Sequence, residues 1–336
     1  MKEGIAIAGM IAVDEIKRVE QYPNRSELST IKSVKRSIGG AVSNCSVALA
    51  RIDGELPIEV VTLVGDDDRG EFLKEQLGKF ANIDLSQLKV TGQTPFTDVI
   101  QDKETRTFFT FSGNSGSFTE DTIEFDNLNA KILHIGYILL LNYLDQEDET
   151  YGTKMAKLLK RAQDAGVKTS IDIVSETSDR YLKIVPPSLK YTNYCIINEI
   201  EAGKSTGVPL RDESGRLITE NMKTALYKLK GYGVEDWVVI HAPEGSFGFD
   251  GENLLSVPSL FIDNSLIKGT VGAGDAYASG TLYGALKGLT LVEAMKLGTA
   301  AAATSLFEED STSGIKSYEE LRALPKAFSY REKIII

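Results

Sequence analysis

Short apolar runs recur along this chain, with helix-patterned stretches between many of them, and this alternation constrains the fold more than any other feature. Gly4–Gly9 reads as a buried strand, Gly39-Gly40 opens a helix to about Ile52, Glu59–Val64 is a strand and Gly70–Phe80 a helix. Ile132–Ile135, Lys168–Asp172, Tyr194–Ile197 and Trp237–Ile240 read as further strands, with helices over Glu149–Ala165 and near 219–230. The C-terminal part reads as helical over about 275–287 and 291–307. Strands that alternate with helices imply an α/β fold, a mostly parallel sheet covered on both faces. Ser246–Phe249 and Asn253–Val257 flank Asp250-Gly251, a hairpin turn signal.

Two β-rich excursions interrupt the pattern. Residues 11–37 are mixed and polar, and Phe96–Gln101 and Arg106–Phe111 flank an expected hairpin turn at Asp102-Lys103-Glu104-Thr105. The expectation is one domain over 1–336, with segments 11–37 and 95–112 combining into a small β-sheet lid. No internal repeat or low-complexity linker divides the sequence.

The formal net charge of −11 argues against a general nucleic-acid or membrane-surface binder. A negatively charged ligand would need a local patch of positive potential. Cys45 and Cys195 sit in apolar runs and read as small buried hydrophobes rather than a disulfide, which fits a reducing cytoplasm. Met1-Lys2-Glu3 leads into only a short apolar run, and no segment approaches the roughly 18 apolar residues of a membrane span. A cytoplasmic location is therefore expected.

The most informative stretch is Lys268-Gly269-Thr270-Val271-Gly272-Ala273-Gly274-Asp275, followed by an apolar face at helical spacing. Unpaired N–H groups at a helix start attract anions, and glycine lets a phosphate approach the main chain. A carboxylate beside such a turn can take a proton from an attacking hydroxyl, which is what phosphoryl transfer to an alcohol requires. Alone, the tetrapeptide reads equally as a tight turn with Asp275 as helix cap. Asp14, Asn198 and Glu201 all follow expected strands, where ligands bind in open α/β sheets. Each has a simpler reading too: Asp14 as the end of a turn, Glu201 as a first-turn helix acid, and Arg106 as a solvated strand residue. Asp66, Asp67 and Asp68 read as caps for the helix near Gly70, and His134 and His241 as structural histidines.

Gly39-Gly40-x-x-x-Asn44, Val64-Gly65-Asp66-Asp67-Asp68-Arg69-Gly70, Asn198-x-x-Glu201 and Gly272-Ala273-Gly274-Asp275 occur in this order. Each is weak alone; the ordered set makes the chain resemble a sugar kinase of the ribokinase (PfkB) family over roughly residues 4–325. The resemblance implies a ribokinase-like αβα sandwich with a mostly parallel sheet and a small β-sheet lid. It also implies transfer of the γ-phosphate of ATP to a sugar hydroxyl, with a primary hydroxyl of a monosaccharide or sugar acid as the expected acceptor. Carried over by position, Asp275 is the base, and the amides of Gly272, Ala273 and Gly274 form the anion hole. Asn198 and Glu201 organise Mg²⁺, chiefly through water. Asp14, Gly39, Gly40 and Asn44 hold the sugar, with Arg106 in the lid as a further contact. Gly245, Asn198, Gly272 and Gly274 belong to the nucleotide site, and Lys268 either reaches a nucleotide phosphate or decorates a loop.

The chain departs from the family pattern twice. The aspartate that usually shapes a potassium site is here Gly269, so K⁺ is a weaker expectation than ATP and Mg²⁺. The nucleotide loop Thr-x-Gly-x-x-Gly is here Ile240-His241-Ala242-Pro243-Glu244-Gly245, in which only Gly245 matches. The expected partners are a small sugar and ATP, with no nucleic acid or membrane, and a homodimer joined through exposed lid edges. A nucleoside kinase and a non-catalytic sugar-binding regulator on the same fold are the alternatives. A dinucleotide oxidoreductase and a P-loop kinase lack their glycine motifs here.

Overall fold

The computed structural model describes residues 2–103 and 105–336. Met1, and Glu104 of the expected 102–105 turn, lie outside the described residues. In chain order the first part runs β1 (Ile5–Gly9), β2 (Ala12–Val19), β3 (Ile31–Gly39), α1 (Gly40–Ile52), β4 (Ile58–Val64), α2 (Asp68–Leu77), β5 (Ile83–Val90), β6 (Phe96–Gln101) and β7 (Arg106–Phe111). The middle runs β8 (Ile132–Ile138), β9 (Glu147–Asp148), β10 (Gly152–Thr153), α3 (Lys154–Asp164), β11 (Lys168–Ile173), α4 (Tyr181–Leu189), β12 (Tyr194–Asn198), α5 (Glu199–Thr206) and α6 (Met222–Gly231). The last part runs β13 (Trp237–Ala242), β14 (Gly245–Phe249), β15 (Leu254–Pro258), α7 (Ala273–Leu286), α8 (Leu291–Ser305) and α9 (Tyr318–Ala323).

β1 is apolar and buried along its whole length, the mark of a strand covered on both faces. It lies between β4 and β8, parallel to both. Among the described residues eight further strands join it in a nine-stranded sheet of order β15-β14-β13-β12-β11-β8-β1-β4-β5. All neighbours from β5 to β13 run parallel, and β14 and β15 add antiparallel partners at one edge. Side-chain alternation splits the core into two layers. Ile5 and Ile7 point into a cluster with α1, α7 and α8, whereas Ala6 and Ala8 point into a cluster with α3, α4 and α6. The result is an αβα sandwich.

A separate small sheet has the order β3-β2-β6-β7, with β2 and β6 parallel and the outer pairs antiparallel. It is built from the two excursions. β3 is exposed over its first six residues and β7 over its last four, so this sheet has no second layer of its own.

The helix expected over Glu149–Ala165 begins later, at Lys154. Gly152 takes a left-handed φ of +87°, and Thr153 caps the helix, its Oγ1 accepting the Ala156 N–H at 3.1 Å. The preceding residues form the β9–β10 hairpin instead. α4 carries Pro186 and Pro187 in its second half, and β5 mixes polar and apolar positions; neither has a strong sequence pattern.

α7 shows no single apolar stripe because it is buried on nearly all sides, between the sheet, α1 and α8. Glycines permit the approach of α8. A Cβ on Gly298 would fall 2.3 Å from Thr281 Oγ1 and 2.7 Å from the Tyr277 carbonyl oxygen. Gly298→Val is therefore expected to lower stability by about 2 kcal/mol through overpacking. An unchanged urea-unfolding midpoint would contradict this packing.

Candidate active site

The first turn of α7 organises the site. Gly272, its N-cap, has φ +79°, and a Cβ there would fall 2.2 Å from Ser311 Cβ. Glycine is thus needed both for the left-handed conformation and for the close approach of the 306–313 turn. No side chain caps this end of the helix. The amides around Ala273 and Gly274 are left at the positive end of a 14-residue helix.

Asp275 is held in that first turn, buried. Tyr137, near the end of β8, donates its hydroxyl to both carboxylate oxygens, at 3.0 and 3.1 Å. Asn44 Nδ2, on α1, donates to Oδ2 at 2.8 Å, and Ser311 in turn donates to Asn44 Oδ1 at 2.6 Å. Asp172, on β11, is close enough to share a proton with Asp275. Burial raises the Asp275 carboxyl above its ordinary range, and the bonds from Asn44, Tyr137 and Asp172 oppose that rise. Burial raises Asp172 much further, and the charges of Asp275 and Glu201 add to it. Asp172 therefore keeps the proton and donates it to an ionised Asp275.

Asp14 and Glu201 complete an acidic group. Burial, then the Asp275 charge, pushes Asp14 up to about 7. Burial also pushes Glu201 up to about 7, against hydrogen bonds from Asn198 and Ser175. Asp14 lies against Gly39: a Cβ on that glycine would fall 2.6 Å from the Asp14 carboxylate. Gly40, with φ +80°, brings the backbone close to the Met10 carbonyl where β3 turns into α1. Gly39, Gly40, Asp14, Asn44 and Asp275 are thereby brought together on one side of the α7 terminus.

On the other side lies a cavity of about 460 Å³. Gly274, Ala273, Thr270 and Asn198 form its polar end, and Leu260, Ile262, Ala302, Ala303 and Leu306 form an apolar end. Gly245 and His241 also line it. His241 stacks on Tyr277 with ring centroids 4.7 Å apart, and burial lowers it to about 4, so it is neutral. His134 is neutral for the same reason and pairs with Ser170 at 3.0 Å.

Asn198 and Glu201 form a capping box at α5: Asn198 Oδ1 accepts from Glu201 N–H, and Glu201 Oε2 accepts from Asn198 N–H. The Asn-x-x-Glu spacing thus has a local structural role in full. Asp67 caps α2 as expected, accepting from Gly70 N–H at 2.9 Å.

Two predicted residues stand apart. Lys268 is an exposed residue whose ammonium lies 3.3 Å from both carboxylate oxygens of Glu308. Arg106 lines a groove on the small sheet with Arg18, Lys35 and Glu309. Gly269 has a packing reason, since a Cβ there would fall 2.9 Å from the Glu308 carbonyl oxygen.

Several contributors carried too little local signal to be singled out. Asp172 sits at the carboxyl end of an expected strand, a position that could have flagged it. Tyr137 and Ser311 belong to no motif. Arg211 clamps the 240–245 loop: it holds Glu199 of α5 at 2.6 Å and Glu244 at 2.5 Å.

Among the described residues no three His, Cys, Asp or Glu side chains are grouped as a metal-ligand set. Mg²⁺ keeps several waters and uses few protein carboxylates. The donor set still fits it: burial, with the nearby Asp275 charge adding to it, raises both Glu201 and Asp172, and a nearby cation would favour their ionised forms.

A model of the family described as pfkB family carbohydrate kinase matches residues 2–317. A 5-dehydro-2-deoxygluconokinase of Shouchella clausii is 24% identical over 304 residues, covering 87% of each chain. A nucleoside kinase of Methanocaldococcus jannaschii is 23% identical over 304 residues, covering 89% of each. Among solved structures, the ribokinase of Thermotoga maritima superposes with a TM-score of 0.77 at 22% identity, covering 96% of this chain and 99% of its own. Arabidopsis thaliana ribokinase, solved with ribose and ATP, also gives 0.77, at 20% identity, covering 97% and 99%.

The acidic group sets a pH dependence. An acid whose folded pKa is raised binds more protons folded than unfolded, so stability falls as pH rises between the two values. For Asp14 that window runs from 3.8 to about 7. The stability difference, wild type minus Asp14→Asn, is expected to fall from pH 5 to pH 8 in urea titrations. A flat difference would contradict the burial of this carboxyl.

Proposed function

The chain belongs to the pfkB family of carbohydrate kinases, and from that premise we propose that it transfers the γ-phosphoryl group of ATP to a primary hydroxyl of a monosaccharide or sugar acid. It is a phosphotransferase with an alcohol group as acceptor. One observation carries the reading of its site. Asp275 directly follows Ala273 and Gly274, which line the 460 Å³ cavity, and it bonds Asn44 and acts through its charge on Asp14, all from the first turn of an uncapped helix.

In this reading the nucleobase occupies the apolar end of the cavity, and the phosphates point to the start of α7. The acceptor hydroxyl meets Asp275, which takes its proton as the new oxygen–phosphorus bond forms. Burial raises the pKa of this carboxyl above the ordinary range, which makes it a stronger base. Tyr137, Asn44 and the protonated Asp172 aim its carboxylate. The amides of Gly272, Ala273 and Gly274 stabilise negative charge on the transferring group. Mg²⁺, when bound, supplies positive charge at the phosphates, and Asn198 and Glu201 are the residues that would hold it through water. The Arg211 clamp keeps the 240–245 loop in place at the cavity wall, standing in for the family's glycines. The small sheet acts as a lid that excludes water and limits futile hydrolysis.

Asp275→Asn is expected to lower kcat about 10³-fold, while nucleotide affinity measured by calorimetry stays within threefold of wild type. Turnover within tenfold of wild type would remove Asp275 from the role of base.

A further inference from the structure

We infer that the acceptor carries an anionic group, a carboxylate or a phosphate, that the lid reads through Arg18, Lys35 and Arg106. The inference rests on the kinase reading and narrows its substrate class. Side chains alternate between faces along a strand, so Asp14, Ile16 and Arg18 share one face of β2. Lys35 lies opposite Ile16, and Arg106 opposite Gln101, which itself neighbours Arg18. All three cations are therefore on the face that carries Asp14. Lys35 lies beside the row one step from Asp14, about 7 Å along the strand. They line a cavity of about 240 Å³.

That cavity already holds a carboxylate. Arg18 Nη2 lies 2.5 Å from Glu309 Oε1, Lys35 Nζ lies 4.0 Å from Glu309 Oε2, and the Arg106 charge acts on the same group. Lys35 also approaches Asp310 at 3.9 Å. Glu309 comes from the 306–313 turn, two residues before the Ser311 that positions Asn44. The resident carboxylate thus reaches the cations from the sandwich side, across the gap between the sheets. The Arg18 and Glu309 side chains remain 47% and 41% exposed. An ion pair that wet is weak, and a ligand anion that docks on an arginine fork can replace it. In a chain of net charge −11, three cations gathered on one lid face supply the local positive potential that an anionic acceptor requires.

The test compares matched acceptors: fructose with fructose 1-phosphate, ribose with ribose 1-phosphate, and 2-deoxyglucose with 2-dehydro-3-deoxygluconate. ADP release with Mg²⁺-ATP gives kcat/KM, and calorimetry gives binding of the same compounds whether or not they turn over. One anionic member is expected to exceed its neutral partner at least tenfold, and the phosphate and carboxylate arms identify the group. Lys35→Gln and Arg106→Gln are expected to weaken that compound at least tenfold while the KM of ATP moves less than twofold. Glu309→Gln is expected to tighten it, because the resident competitor is gone. Preference for neutral members in both assays would overturn the inference, as would equal losses for both members or weaker binding in Glu309→Gln. Binding preference without ADP release would instead count against the kinase reading and leave the anion site standing.

Discussion

Four carboxylates lie beside one helix terminus with no cationic side chain among the described residues offsetting them, and the rest of the site depends on that crowding. Asp14, Asp172, Glu201 and Asp275 come from the small sheet, one strand end and two helix starts. Each is raised mainly by burial, and the charge of Asp275 adds to the rise of the other three. A low-dielectric pocket cannot keep all four ionised, so protons are retained and unevenly shared. The hydrogen bonds from Tyr137 and Asn44 decide the outcome at Asp275: they favour its ionised form, whereas Asp172 has only one comparable backbone donor, Ile173 N–H at 2.8 Å. One acid therefore becomes an acceptor of protons and its neighbour a donor.

The fold supplies the crowding through backbone fit. α7 is buried around almost its whole circumference, and glycines let α8 and the 306–313 turn approach without side chains between them. That turn then serves three regions in succession. Leu306 lines the 460 Å³ cavity, Glu309 engages the small sheet, and Ser311 sets Asn44. The same short segment joins the cavity, the small sheet and the start of α7.

Much of this was legible in the sequence. The apolar runs of β1, β4, β8 and β12 announce buried parallel strands, and the ordered glycine and acidic motifs announce the site. The rest depends on tertiary context. Asn198 and Glu201 look the same as a capping box or as a ligand pair, and the structure shows the capping box in place. Lys268 sits next to the key motif but turns to Glu308, because an exposed lysine follows the nearest carboxylate. Tyr137, Ser311 and Arg211 act through residues more than 30 positions distant, or through elements joined only by folding, so no local pattern marks them. β5 and α4 were illegible because polar substituents on one and two prolines in the other mask their periodicity.

The central claim is that this constellation moves a phosphoryl group to an alcohol. The most direct measurement is ADP release from Mg²⁺-ATP across a panel of sugars, sugar acids and nucleosides, with the purified protein. The account predicts ADP formation that depends on one acceptor class and matches, mole for mole, a phosphorylated acceptor seen by mass spectrometry. Ligand binding with no acceptor-dependent ADP, for any member of the panel, would contradict it and favour a non-catalytic sugar-binding protein on the same fold.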